Sequence, residues 1–353
     1  MLQSIVDGSE RANGHEIEFV FFHDGPWPRE LAAAGFHVEV LEAGRLRELH
    51  RWIATVVRLV RIFRRREPDL ILNWAAKTHL YGSPAAVLAG MRKRVIWWQQ
   101  AIPERGFGID TFATLLPAIA VGCYGAVAAE AQERMFPRRP TFVVHAGSPV
   151  PEPYAGPPPL DIPAEVPVIG LVGRLQPWKG QDRLLGAQAL LRDRGHALHL
   201  VIVGGDSWGL SPEYAQSLPA LIARLGLSAA VTMTGEVPDA GPYIEQMDIL
   251  VNASDPEPFG IVLLEGMARG VPVVAVNSGG PGEFIADRRT GMLASSGAPE
   301  ALAEALEPLL ASPELRRELG QAGRVRFMEE FTDSALSRRF FERLQALLPD
   351  RAG

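Results

Sequence analysis

Asp255-Pro-Glu-Pro-Phe-Gly-Ile-Val-Leu-Leu-Glu265-Gly-Met-Ala-Arg-Gly-Val-Pro-Val-Val274 is the stretch whose pattern settles the architecture. An apolar run from Ile249 to Asn252 precedes it, and it ends inside another, Val271 to Val276; both have the length and β-branched content of strands. Between them a proline-flanked loop presents Glu257, and a helix begins near Phe259-Gly260. Strand, loop, helix and strand in that order form a βαβ unit of a parallel sheet. The free N–H groups and dipole at the start of the helix point out of the carboxyl end of the sheet, an arrangement that attracts phosphate.

The same alternation continues on both sides. Strands are expected at Val168 to Val172, Leu198 to Val203 and Val231 to Thr234, and helices from about Gln181, Pro212, Gly241, Gly260 and Pro281. A last helical run from Ala298 through Leu348 is interrupted near Pro313 and Phe331. Residues 167–330 therefore read as a doubly wound domain, and the helix over 331–353 is expected to cross back to the N-terminal domain. Upstream, residues 151–166 are too rich in proline for a central strand or helix interior and read as a stiff linker.

Residues 1–150 repeat the strand and helix pattern more loosely. Strand-like runs are Glu16 to Phe22, Phe36 to Leu41, Leu70 to Asn73, Val95 to Trp98 and Thr141 to His145, with helical stretches at Arg45 to Arg66 and Pro84 to Gly90 among them. The fold class is α/β, with two Rossmann-like domains facing a cleft. The first begins with what reads as the tail of a helix ending at Asn13-Gly14, so it is expected to lack the first strand and its glycine-rich loop.

Chemistry concentrates at the predicted strand ends. Gly173-Arg174-Leu-Gln-Pro-Trp-Lys179-Gly180 follows the first strand of the second domain, where open α/β sheets bind ligands. Arg174 offers a planar fork and Lys179 a flexible point charge, together suited to a diphosphate. Gly204-Gly205 and Gly279-Gly280-Pro-Gly-Glu283 each close a strand where missing side chains let a ligand approach. Glu265 lies about one and a half turns into its helix, beside apolar residues, an odd place for a carboxylate unless it holds hydroxyl groups. Taken singly, each of these residues also reads as a surface charge or a turn glycine; only the set points to a site.

That set resembles the retaining family-4 glycosyltransferases of the GT-B fold, also called glycosyltransferase group 1, over roughly residues 167 to 330. The resemblance implies that Glu257 meets donor-sugar hydroxyls, Glu265 the ribose, and Arg174 and Lys179 the diphosphate. It places the backbone of Gly173, Gly204, Gly205, Phe259, Gly260 and Ile261, with Gly279, Gly280 and Glu283, around the same donor. The implied reaction moves a sugar from a nucleoside-diphosphate sugar to an acceptor on the N-terminal domain, with retention and without a required metal or cofactor. On the acceptor side the candidates are Lys77, His79 and Gln100, the last standing where family members often carry histidine. A nucleotide-sugar-binding module without turnover and a nucleotide-sugar epimerase are the alternative readings.

Bulk properties narrow the partners. The chain has 353 residues, 47% apolar and 22% charged, a balance that folds and fits two domains. Its net charge of −6 argues against general nucleic-acid binding. The single Cys123 excludes an intramolecular disulfide, and no apolar run approaches the roughly 20 residues of a membrane span, so a cytoplasmic enzyme is expected. The arginine-rich segment Arg45 to Arg66 reads first as a helix covering the sheet, and second as a weak peripheral contact with anionic membrane.

Overall fold

The computed structural model describes residues 1–7, 15–162 and 166–348, with no side-chain description for Trp208. In chain order the elements are α1 (Leu2–Asp7), β1 (Glu18–Phe21), α2 (Pro26–Ala33), β2 (His37–Val40), α3 (Leu49–Arg66), β3 (Ile71–Trp74), α4 (Ala76–Leu88), β4 (Val95–Gln99), α5 (Ile109–Leu115), β5 (Ala120–Cys123), α6 (Ala126–Glu133) and β6 (Thr141–Val143). After the proline-rich stretch come β7 (Val168–Val172), α7 (Gln181–Asp193), β8 (His199–Val203), α8 (Pro212–Arg224), β9 (Val231–Gly235), α9 (Gly241–Glu245), β10 (Ile249–Asn252), α10 (Ile261–Ala268), β11 (Val273–Val276), α11 (Pro281–Phe284), β12 (Met292–Ala294), α12 (Pro299–Ala311), α13 (Pro313–Glu330) and α14 (Asp333–Gln345). The chain divides into two compact units, Met1 with Ala146–Leu336, and Leu2–His145 with Ser337–Gly353.

The unit holding the second half is a six-stranded parallel sheet in the order β12-β11-β10-β7-β8-β9. Its first strand, β7, therefore lies in the middle, between β8 and β10, and the order of the strands reverses there, which makes a topological switch point. The runs His-Leu-Val-Ile-Val of β8 and Val-Val-Ala-Val of β11 are buried at every position, because helices cover both faces of the sheet. Leu184, Leu185 and Leu191 of α7 pack with Leu302, Leu306 and Leu309 of α12 in the core on one of these faces. Each fully buried side chain of this kind contributes about 1.5–3 kcal/mol relative to exposure.

In the other unit β3, β4, β5 and β6 form a four-stranded parallel sheet, and β1 pairs with β2 in a separate two-stranded sheet. Trp98 of β4 stacks on Trp74 of β3 at 5.1 Å, and Phe340 of α14 meets both rings. Cys123 is fully buried in β5, and burial pushes its thiol up to about 12, so it behaves as a small apolar side chain.

Among the described residues no ladder joins β1 to β3, and a two-stranded ribbon is marginal without a third strand. Amides of β1 and β2 are expected to exchange with solvent well before those of β4 in native-state hydrogen exchange. Equal protection of the two sheets would show that they open as one unit.

Several boundaries differ from the sequence expectation. α3 starts at Leu49, because Arg45 to Glu48 form a turn in which the Glu48 carboxylate accepts the Arg45 amide at 2.9 Å. α4 starts at Ala76, eight residues before the expected Pro84, and Pro84 lies inside the helix. β6 stops at Val143, and Leu2–Asp7 is helical. The expected helix end at Asn13-Gly14 lies outside the described residues.

Candidate functional site

β7 ends at Val172, and the chain turns through Gly173 and Arg174 into a single helical turn, Pro177–Lys179, before α7 begins. The turn is fastened from three directions. The Gln181 side-chain Nε2 donates to the Arg174 carbonyl at 2.8 Å, the Asp255 backbone amide donates to the Trp178 carbonyl at 2.9 Å, and the Arg183 guanidinium donates to the Trp178 and Ala253 carbonyls at 3.1 and 2.6 Å. The loop after β7 is thereby held against the end of β10. Lys179 emerges from it, its ammonium 4.0 Å from the centre of the Trp178 ring and 2.9 Å from Glu257 Oε2.

Glu257 is 6% exposed and sits on the loop between β10 and α10. Its Oε2 also accepts from Asn252 Nδ2 at 3.1 Å. Burial alone would push this carboxyl up, but the Lys179 ammonium and the hydrogen bonds from Lys179, Asn252 and Ser254 outweigh it and hold the group below its ordinary value. Glu257 is therefore a buried carboxylate kept ionised beside a cation.

The loop carrying it is clamped by the glycine segment after β11. Glu257 N–H donates to the Ser278 carbonyl at 2.9 Å and Gly280 N–H to the Glu257 carbonyl at 2.8 Å. Gly279 has φ +95°, and a Cβ there would lie 2.1 Å from the Glu257 carbonyl oxygen, so only glycine permits this approach. A matching closeness joins β7 and β8: Gly204 has φ +137°, a Cβ on it would lie 2.1 Å from the Gly173 carbonyl oxygen, and the Leu175 amide donates to the Gly205 carbonyl at 3.0 Å. Both pairs of predicted glycines thus bring backbone to the carboxyl ends of the central strands.

Gly260 starts α10 with φ +96°, leaving the first amides of an eight-residue helix without helical partners, Ile261 among them. Phe259 is buried against Phe284 at 4.9 Å, which fixes the loop over α11. Glu265 lies one turn further along α10 and is half-buried; burial pushes its carboxyl up, Arg269 opposes the shift only in part, and Asp239 adds to it. Glu283 is half-buried in α11 and Arg174 half-buried beside Gly173. The structure joins Lys179 and Glu257 directly, and places Arg174, Glu265 and Glu283 on the loop and two helices that leave the same strand ends.

The acceptor-side candidates fare differently. His79 is fully buried, stacked on Trp97 at 5.2 Å with Nδ1 3.2 Å from Asn73 Nδ2. Burial, then the charge of Arg139, lowers its imidazole to about 3. It is a packing residue of the core, and its assignment as a ligand-facing group is corrected: α4 begins earlier than expected and turns this position inward. Lys77 is half-buried in the first turn of α4, and Gln100 is exposed after β4. Its neighbour Gln99 is the buried glutamine, donating to Asp110 at 3.1 Å and accepting from the Ala101 amide at 3.2 Å.

Asn252, Ser254 and Arg183 were not singled out in the sequence. A polar residue closing the apolar run Ile-Leu-Val-Asn252 was the available signal for the first. Arg183 acts across 70 residues of chain and leaves no local trace.

Set beside known proteins, the sequence and the fold have clear counterparts. Residues 157–326 match the family described as glycosyl transferases group 1. The chain is 38% identical over 193 residues to a D-inositol 3-phosphate glycosyltransferase of Segniliparus rotundus, covering 52% of this chain and 42% of that one. It is 32% identical over 185 residues to the lipopolysaccharide core biosynthesis glycosyltransferase LpsE of Rhizobium meliloti, 52% of each. The chain thus spans about half the length of these curated relatives. Among solved structures, Anabaena HepE in complex with UDP shares the fold with a TM-score of 0.79 at 22% identity, over 98% of this chain and 95% of that one. A glycosyltransferase of Rickettsia africae does so with a TM-score of 0.82 at 18% identity, over 99% and 95%. The fold is that of the GT-B glycosyltransferases.

Proposed function

We propose that the protein is a retaining, family-4-type glycosyltransferase that takes a sugar from a nucleoside-diphosphate donor bound at the switch point of its second-half sheet. The observation that carries this reading is the Lys179–Glu257 pair, a half-buried cation and a buried anion 2.9 Å apart beside the open start of α10. A diphosphate meets the Lys179 ammonium, the Arg174 guanidinium and the α10 amides, so the leaving charge is neutralised by protein groups without a required metal. The Glu257 carboxylate, held ionised, accepts from hydroxyls of the sugar, and Glu265 from those of the ribose. The bond from the anomeric carbon to the leaving oxygen breaks while the acceptor oxygen bonds on the same face, its proton passing to the leaving phosphate. HepE, a fold relative solved with UDP, supports the choice of donor class.

A thermal-shift panel of nucleotide sugars tests this reading, since a ligand that binds only the folded state raises stability with the logarithm of its concentration. The best donor is expected to raise the melting temperature, and Glu265→Ala to remove most of that shift. Undiminished shifts in both Glu265→Ala and Lys179→Ala would overturn the site. Tight donor binding without transfer to any acceptor or to water would favour a binding module instead.

A further inference from the structure

The face of the first-half unit where α3 and α4 lie side by side carries a surface that the proposed transfer chemistry does not use. α3 contains no carboxylate between Leu49 and Arg66 and buries Thr55, Val56, Leu59, Ile62 and Phe63. On its other side Leu49, Ile53 and Val57 are 65%, 49% and 41% exposed, and their spacing of four residues sets them in one stripe. The Trp52 indole donates to the Leu80 carbonyl at 3.2 Å and the Arg64 guanidinium to the Leu88 carbonyl at 2.9 Å, so α4 runs alongside in the same sense. Its end adds Val87 and Leu88, 43% and 59% exposed.

Cations border this apolar strip. Arg51, Arg65 and Arg66 are engaged by Glu48, Glu39 and Glu18, whereas Arg58 and Arg61, both exposed, meet no carboxylate among the described residues. Where α4 ends, an open hollow of about 360 Å³ is lined by Val87, Gly90, Met91, Arg92, Lys93 and Arg94. Arg94 is spent on the Pro68 carbonyl at 2.8 Å, and Arg92 and Lys93 have no ion-pair partner among the described residues. This concentration of positive charge stands on a chain of net charge −6, so it is local and not compositional.

Solvent-facing aliphatic side chains interleaved with uncompensated arginines suit one environment better than others. Water disfavours the first and a nucleic-acid backbone has no use for them. The headgroup boundary of a bilayer accepts both, aliphatic side chains entering the acyl region while long cationic ones reach lipid phosphate. We propose that the α3–α4 face docks on an anionic lipid bilayer, with Leu49, Ile53, Val57, Val87 and Leu88 at the acyl boundary and Arg58, Arg61, Arg92 and Lys93 on lipid phosphates. No described helix is long and apolar enough to cross a membrane, so the contact is peripheral on this face. It is independent of the donor site.

Co-sedimentation of the full chain with vesicles tests the surface. Binding is expected to vesicles containing phosphatidylglycerol and not to pure phosphatidylcholine, and to fall as salt rises. Arg58→Gln with Arg61→Gln is expected to weaken it roughly 30-fold, the factor for losing two interfacial cations. Ile53→Ser with Val57→Ser is expected to remove the part that survives salt. These side chains are exposed, so the melting temperatures of both variants should match the parent, and donor-induced thermal shifts should be retained. Absence of parent binding to phosphatidylglycerol, equal binding to phosphatidylcholine, or unchanged binding by both double variants would overturn the proposal. So would a lipid-free dimer abolished by Ile53→Ser with Val57→Ser, which would assign the face to a second copy of the chain.

Discussion

Lys179→Met is expected to lower sugar transfer between about 10²- and 10³-fold, the cost of removing one preorganised stabiliser of a developing negative charge. It is also expected to destabilise the second-half unit by about 3 kcal/mol, because Glu257 would be left buried at 6% exposure without its cation. The two losses separate by pH. In the parent protein Glu257 titrates below the ordinary glutamate value of 4.5, so its contribution to stability is full above that value and is lost as pH falls through the lower, folded value. Without Lys179 only the hydrogen bonds from Asn252 and Ser254 oppose burial, and the folded carboxyl is expected to titrate above the ordinary value. The sign then reverses: the folded state holds the proton more tightly than the unfolded chain, and stability falls as pH rises. The stability gap between parent and variant should therefore be widest near neutrality and narrow toward acid in urea titrations across pH. A constant gap would mean that Glu257 and Lys179 are not coupled.

Gly279→Ala should be nearly as damaging through geometry alone. The added methyl meets the Glu257 carbonyl oxygen at 2.1 Å, and this neighbour is backbone, which cannot swing aside. Two hydrogen bonds that clamp the loop, at 2.9 and 2.8 Å, must then stretch. Strain and displacement together are expected to cost about 3 kcal/mol and to weaken donor binding with it. Gly195→Ala supplies the control, since Gly195 has a similar φ of +89° and a methyl added there would have no atom within 4 Å. There only the conformational cost remains, about 1 kcal/mol. Equal losses in denaturant unfolding for the two variants would show that the close approach at Gly279 carries no special burden.

The second half of the chain was legible because its local signals agree with its tertiary role. Pro212 and Pro281 occupy first helical turns, Ser312 caps α13 by accepting the Leu315 amide at 3.1 Å, and paired glycines close the strands where backbones meet. Lys179 and Glu257 could be assigned to one site because each follows a strand that the alternation places near the middle of the sheet. The first half was less legible for a physical reason. α4 opens at Ala76 with no capping side chain, so Asn73-Trp-Ala-Ala-Lys-Thr-His reads as a polar loop with His79 facing outward. Only the stacked Trp97 and the neighbouring Asn73 show that the imidazole is enclosed. Asn252 and Arg183 were missed for a related reason: their importance lies in what they touch, and Arg183 touches Ala253, far away in the sequence.

The proposed function requires that a nucleoside diphosphate be gripped at the switch point between β7 and β10. A crystal structure of the full chain soaked with a nucleoside diphosphate measures this directly. The diphosphate should lie within hydrogen-bonding distance of Lys179 Nζ and the first amides of α10, with the ribose hydroxyls at Glu265. A nucleotide bound clear of Lys179, Glu265 and α10 would contradict it.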